Sequence, residues 1–129
     1  MWAFESVFYQ IYPLGFCGAP FENDGILNHR IEKVSEWIPH IKKTGANAIY
    51  FSPVFESDTH GYNTRDFMKI DCRLGTNEDF KKLVKELHER PSEDVHELCT
   101  LVVAFLIVSD CVVECEIVEF LHCSAFLLD

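Results

Sequence analysis

The sequence predicts an α/β fold with parallel strands, on the strength of three observations. Residues 7–12 and 46–51 are short runs of apolar, β-branched and aromatic residues, which are typical of buried strands. Each run is followed later in the chain by a segment with helical periodicity. The resulting order is strand, helix, strand, loop, helix. Strands that alternate with helices favour parallel pairing, because each connection must cross back over the sheet.

The first helix is indicated by a stripe of apolar residues at roughly helical spacing. The stripe consists of Ile26, Leu27, Ile31, Val34, Trp37, Ile38 and Ile41. Pro39 is expected to kink this helix or to restart it as a second one, because proline lacks the backbone N–H. Gly45 follows two lysines and is a favourable helix stop.

The second helix is indicated by a capping box, in which Thr76 is followed three residues later by Asp79. The next residues place an apolar stripe on one face of the helix, and its members are Phe80, Leu83, Val84 and Leu87. Residues 54–75, between the second strand and this helix, are predicted to form a long loop.

The motif His60-Gly61-Tyr62 lies within that loop. An aromatic face covers the apolar C–H face of a pyranose, and an imidazole can exchange a hydrogen bond with a sugar hydroxyl. We therefore predict that Tyr62 and His60 bind substrate. The alternative is a loop tyrosine and histidine that pack only against their neighbours.

Four segments, in this order and spacing, resemble the N-terminal part of an α-amylase family catalytic domain, on its neopullulanase or maltodextrin-glucosidase side. They are residues 8–13, 45–53, 60–76 and 79–90. The resemblance implies a partial (β/α)8 TIM barrel containing the first two βα units, with the site at the C-terminal ends of the strands. It also implies that Tyr62 stacks under a glucose ring and that His60 lies close to the same sugar.

The resemblance implies retaining hydrolysis of α-glucosidic bonds, which requires two carboxyl groups flanking the scissile bond. In the family, these groups come from the fourth strand onward, so we predict no catalytic residue in this chain. Asp58, Asp66 and Asp71 match no catalytic position, and Asp66 is expected to be a buried cap or a partner of Arg65 or Arg73. The predicted function is a truncated α-glucan hydrolase of carbohydrate metabolism, inactive alone.

The composition changes near residue 90. Residues 1–90 carry all 11 Lys and Arg. Residues 91–129 carry no Lys or Arg, but they contain four of the six cysteines. We divide the chain into two parts. Residues 1–90 are the barrel segment, and residues 91–129 are an acidic, apolar, cysteine-rich tail that does not resemble the family. Within the tail, residues 101–108 could replace the third barrel strand or could be frame-shifted sequence. The loss of several residue types at one point favours the second alternative.

Metal sites are weakly indicated, and no cofactor is expected. The oxygen-rich run Glu22-Asn23-Asp24-Gly25 could bind calcium, but a solvated turn and helix cap is the favoured interpretation. A zinc site in the tail would make this a metal-binding protein, but its cysteines and histidines are spaced more widely than the ligands of zinc ribbons and fingers. Its candidate ligands are His96, Cys99, Cys111, Cys115, His122 and Cys123.

The net charge of −10 argues against nucleic acid or an anionic membrane as a partner, and the expected partner is an α-glucan or maltodextrin. The N-terminus has no signal-peptide pattern, so we expect a cytoplasmic protein with reduced thiols. Residues 98–108 form an apolar run too short to span a membrane. An alternative function is a non-enzymatic fragment that binds carbohydrate, completes a barrel or self-associates through unpaired strand edges.

Overall fold

The computed structural model describes residues 6–89, 99–102, 107–108 and 111–112. The elements in chain order are β1 (Phe8–Ile11), α1 (Pro13–Phe16), a 3-10 turn (Arg30–Glu32), α2 (Lys33–Lys43), β2 (Ala48–Phe51), β3 (Phe55–Ser57), β4 (Thr64–Ile70), α3 (Asn77–Glu89), β5 (Cys99–Val102), β6 (Ile107–Val108) and β7 (Cys111–Val112). None of the helices in these ranges is long and apolar enough to cross a membrane.

The main sheet has three parallel strands in the order β1, β2, β5. Phe8 lies opposite Ala48, and Phe51 lies opposite Val102. The prediction of parallel strands separated by helices is confirmed. β5 includes the first two residues of the apolar run 101–108, which one alternative predicts to replace the third barrel strand. The origin of the tail and its boundary at residue 90 remain predictions.

The hydrophobic core lies between the sheet and helices α2 and α3. β2 runs through its centre, and Ile49 and Phe51 are both fully buried. The Phe51 ring meets the Phe80 ring of α3 edge-on, with 5.7 Å between centroids. The predicted inward face of α3 is confirmed, since its four apolar residues are all buried.

Helix α2 begins later than predicted. Ile26 and Leu27 precede it and are 60% and 51% exposed. The backbone turns here instead, because the Asn23 side chain accepts a hydrogen bond from the Gly25 N–H and Asp24 accepts one from the Ile26 N–H. The expected turn is therefore confirmed, and the expected helix cap is wrong.

Pro39 lies inside α2, so the alternative in which it restarts the helix is wrong. The helix ends as predicted: Gly45 has a φ of +81° and donates to the Lys42 carbonyl.

The prediction of a structureless loop over residues 54–75 is wrong, because β3 and β4 pair there as an antiparallel hairpin. The pattern gave no strand signal, since residues 65–69 of β4 are all exposed. A strand exposed on both faces shows no alternation of apolar and polar residues. The hairpin presents residues 58–63 as its connecting loop, which we call the hairpin loop.

Candidate functional site

The hairpin loop brings His60 and Tyr62 together. Their ring centroids lie 5.9 Å apart, with the planes tilted by 42°. The imidazole is exposed, and the Tyr62 side chain is 39% exposed. The two rings therefore form a joint surface accessible from solvent. Their role in binding a substrate stays a prediction.

The hydrogen bonding of His60 defines what its ring can offer. Its Nδ1 lies 3.1 Å from the backbone nitrogen of Tyr62, which donates the hydrogen bond. A nitrogen that accepts a hydrogen bond carries no proton, so the neutral imidazole has its proton on Nε2. His60 can therefore present an N–H donor.

Gly61 fixes the hairpin loop against the end of β2. Its φ of +97° is unfavourable for any residue with a side chain. A Cβ at this position would lie 3.1 Å from the Pro53 Cβ and 3.5 Å from the Leu14 Cδ1. Glycine thus allows the backbone between the two rings to pack directly on Pro53, which follows the carboxyl end of β2.

Short-range hydrogen bonds close the hairpin loop. The Asn63 side chain accepts from the Thr59 N–H at 3.2 Å and donates to the Thr59 hydroxyl at 3.1 Å. The Thr64 hydroxyl donates to the Gly61 carbonyl at 3.1 Å. Asp58 and Arg65 form an exposed ion pair at its base. The side chains of the loop itself therefore define its shape.

A buried ion pair lies near the base of the hairpin. Asp71 and Arg73 have side chains with no exposed surface, and the guanidinium binds both carboxylate oxygens, at 2.8 and 2.7 Å. Burial alone would raise the pKa of Asp71, but hydrogen bonds from Arg73 and Ser57 outweigh it and lower that pKa. Asp71 is therefore a permanent anion at neutral pH.

Arg73 also ties the segment after α1 to the hairpin. Its Nη1 donates to the carbonyls of Pro20 and Phe21, at 2.9 and 2.7 Å, and its Nη2 donates to the Ser57 hydroxyl at 2.9 Å. Together with the two bonds to Asp71, these contacts use all five N–H donors of a guanidinium. The Arg73 guanidinium therefore joins the backbone of residues 20–21 to the side chains of Ser57 and Asp71.

The expectation for Asp66 is wrong. Asp66 is exposed and accepts a hydrogen bond from the Met68 N–H at 2.8 Å. Arg65 pairs with Asp58 and Arg73 pairs with Asp71. The buried, salt-bridging role therefore belongs to Asp71, because Asp66 lies on the solvent-exposed part of β4.

Glu56, Asp71 and Cys72 bring potential ligand atoms within 4.8 Å of one another. Two side-chain cations already pair with this cluster, however: the Arg73 guanidinium binds both oxygens of Asp71, and the Lys69 Nζ lies 3.5 Å from Glu56. Burial and the neighbouring carboxylates raise the pKa of the Cys72 thiol, which disfavours the thiolate that metals require. The cluster does not fit a metal ion. Of the zinc candidates, His96, Cys115, His122 and Cys123 lie outside the described residues, so that hypothesis stays a prediction.

Sequence reasoning missed Tyr12, which lies just after β1. Its hydroxyl donates to the His60 carbonyl at 3.0 Å, across 48 residues of sequence. The side chain is 40% exposed. The sequence did contain a signal for Tyr12. It is an aromatic residue at the carboxyl end of β1, on the same edge of the sheet as the hairpin loop.

Comparisons with known proteins identify relatives along most of this chain. The family described as "Alpha amylase, catalytic domain" matches residues 10–96. The oligo-1,6-glucosidase of Bacillus cereus is 41% identical over 91 residues, which cover 69% of this chain and 16% of that protein. A cyclomaltodextrinase of a Bacillus species is 34% identical over 105 residues, covering 69% of this chain and 19% of that protein. The chain thus spans less than a fifth of the length of these relatives.

Solved structures also match most of this chain. The isomaltulose synthase SmuA of Protaminobacter rubrum superposes with a TM-score of 0.59 at 32% identity, covering 79% of this chain and 17% of that one. A cyclic α-maltosyl-(1→6)-maltose hydrolase of Arthrobacter globiformis, solved in complex with maltose, gives 0.58 at 29% identity, covering 78% and 25%. These matches imply a (β/α)8 barrel, with which the parallel strands and helices of the described residues are consistent.

Proposed function

The chain belongs to the α-amylase family, and we propose that it binds α-glucans through the hairpin loop. The observation that carries this proposal is the joint surface of Tyr62 and His60, fixed by Gly61 to the carboxyl end of β2. Binding sites of barrel enzymes are built on this edge of the strands. The maltose complex of the Arthrobacter hydrolase supports this choice of ligand class.

Each ring has a separate task in the proposed complex. The Tyr62 ring covers the apolar face of a glucose unit, which removes C–H groups from water. The Nε2–H of His60 donates to a hydroxyl of the same sugar, because its Nδ1 is already engaged with the Tyr62 backbone. One apolar contact and one directed hydrogen bond suffice to select a pyranose over a purely aliphatic ligand.

We propose further that residues 1–90 act as a binding segment and do not hydrolyse the glucan alone. A general acid must hold a proton near neutral pH, which calls for a raised pKa. Asp71 has a lowered pKa, and Asp58 is paired with Arg65. Neither carboxyl group is prepared to protonate a leaving oxygen. Residues 91–129 are proposed to be a tail without a part in the sugar site, although β5 within it pairs with β2 in the main sheet.

The test is a titration of the full chain with maltotriose, followed by NMR, comparing the wild type with Tyr62→Ala. Loss of the stacked ring is expected to weaken binding about tenfold, which corresponds to roughly 1.4 kcal/mol. The control is Phe21→Ala, which removes an aromatic ring that is 66% exposed and lies outside the hairpin loop. Equal affinities for Tyr62→Ala and the wild type would rule out the proposed platform.

A second candidate function is assembly through the sheet edge. Among the described strands, β1 pairs with β2 alone and so lies at an edge of the main sheet, the position at which a strand of a second copy of this chain could be added. Light scattering of the purified chain would show a dimer or larger species at micromolar concentration. A monomer over the whole concentration range would eliminate this candidate.

A further inference from the structure

We propose that Tyr12 is a positioning residue, which holds the hairpin loop in its sugar-binding shape through one hydrogen bond to the His60 carbonyl and is itself seated by Gly15. The inference rests on the proposed function and deepens it. Tyr12 is distant from the motif in sequence and follows a different strand, β1.

The hydrogen bond from Tyr12 acts at the middle of the hairpin loop. The His60 carbonyl receives the Tyr12 hydroxyl at 3.0 Å, while the Nδ1 of the same residue receives the Tyr62 N–H. The carbonyl of the next residue, Gly61, receives the Thr64 hydroxyl. The Thr64 contact is local to the hairpin. Tyr12 therefore ties the His60 backbone to the end of β1, while the packing of Gly61 on Pro53 ties the next residue to the end of β2.

Gly15 provides the space for the Tyr12 ring. A Cβ at Gly15 would lie 2.8 Å from Cδ1 and 3.0 Å from Cε1 of Tyr12, closer than two carbon atoms can approach. Gly15 lies in α1, and its φ is not among the positive ones of this chain. The backbone itself would accept alanine, so the neighbouring ring is the structural reason for glycine here.

The hydroxyl remains a donor over the working pH range. Burial, together with the negative charges of Tyr62 and Asp71 when ionised, raises the pKa of Tyr12, against the opposing effect of Arg73. A phenol with a raised pKa stays protonated at neutral and mildly alkaline pH. The contact to His60 therefore does not depend on pH in that range.

Three variants of the full chain separate positioning from stability. Tyr12→Phe removes the hydroxyl and keeps the ring. Gly15→Ala keeps the hydroxyl but displaces the ring, while alanine favours the helix. The matched control is Tyr9→Phe, which also removes a bonded hydroxyl, the acceptor of the Trp37 Nε1–H at 3.1 Å. That contact does not involve the hairpin loop.

The first measurement is the exchange rate of the Tyr62 amide hydrogen without sugar. The loss of one neutral hydrogen bond is expected to raise this rate roughly threefold to tenfold in Tyr12→Phe. Gly15→Ala should act in the same direction, and Tyr9→Phe should leave the rate unchanged. An unchanged rate in both Tyr12→Phe and Gly15→Ala, or an equal rise at the core amide of Ile49, would overturn the proposal.

The second measurement is the affinity for maltotriose. If the hairpin loop binds sugar only in its held shape, the affinity is proportional to the fraction of loops in that shape, 1/(1 + K), where K is the opening constant that the exchange rates give. An affinity of Tyr12→Phe that departs from the value calculated in this way would overturn the link between loop shape and binding. A wild-type chain that binds no maltotriose would refute the proposed function instead, and the exchange rates would still decide whether Tyr12 holds the hairpin loop.

Discussion

The substitution Arg73→Met tests the buried ion pair that anchors the hairpin. Arg73 and Asp71 have no exposed side-chain surface, and the variant leaves the Asp71 carboxylate buried without its cation. It also removes the donors to the Pro20 and Phe21 carbonyls. Methionine fills much of the same volume, so the effect reports on charge and hydrogen bonding.

The expected loss in the free energy of unfolding is large. Breaking a buried ion pair by removing one partner costs about 3–5 kcal/mol. Against a total of about 5–15 kcal/mol for a typical domain, this is a major fraction of the stability. The exposed pair of Arg65 and Asp58 gives the matched control, since both side chains are about half exposed, 50% and 53%. Arg65→Met should cost at most about 1 kcal/mol.

The assay is urea unfolding of the full chain, followed by tryptophan fluorescence and circular dichroism. With a slope of about 1–1.5 kcal/mol per molar, Arg73→Met should lower the midpoint by roughly 2–5 M. If Arg73→Met does not fold, Arg73→Lys gives an intermediate measure, because lysine keeps the charge and has three donors instead of five. Equal midpoint shifts for Arg73→Met and Arg65→Met would show that burial does not strengthen the pair of Asp71 and Arg73.

Three further outcomes are expected. Thr76→Ala should lower stability by about 1 kcal/mol, because the Thr76 hydroxyl accepts the Asp79 N–H and the Asp79 carboxylate accepts the Thr76 N–H. Burial alone would raise the pKa of Asp79, but its hydrogen bonds lower it. The stabilisation by the Asp79 carboxylate is therefore complete above the pKa of about 3.9 that an aspartate has in the unfolded chain. It is lost as the pH falls through the lower pKa that Asp79 has in the folded chain. Urea midpoints at pH 7 and pH 2 would show the Thr76→Ala penalty shrinking. Gly61→Ala should cost about 1–3 kcal/mol of backbone strain, in addition to the close contact with Pro53, and a titration should show weaker maltotriose binding. Burial raises the pKa of Cys17 to about 11, so thiol-reactive dyes should label it at pH 8 far more slowly than a free cysteine peptide, and equal rates would contradict its burial.

The parts of the fold that depend on periodicity were predictable from the sequence. The inward face of α3 follows from Phe80, Leu83 and Leu87 at helical spacing, and the strands of the main sheet follow from short apolar runs. The hairpin was missed because β4 is exposed over five consecutive residues and lacks an alternating pattern. The start of α2 was misplaced because the side chains of Asn23 and Asp24 turn the backbone locally.

The candidate site was predictable only at its surface. His60 and Tyr62 lie on one loop because they are only two positions apart in the sequence. The choice of Asp71 over Asp66 as the buried anion depends on which residue meets Arg73 in three dimensions. The contact between Tyr12 and His60 likewise joins residues that are 48 positions apart. A single sequence contains no local signal for such pairs.

We propose that this chain binds an α-glucan at His60 and Tyr62 and does not cleave it. The most direct measurement is one NMR experiment on the full chain with maltotriose, which follows the ring signals of both residues and the anomeric signals of the sugar over time. We predict saturable shifts at both rings and an intact sugar after prolonged incubation. Unperturbed ring signals at millimolar sugar, or the appearance of glucose and maltose, would contradict this proposal.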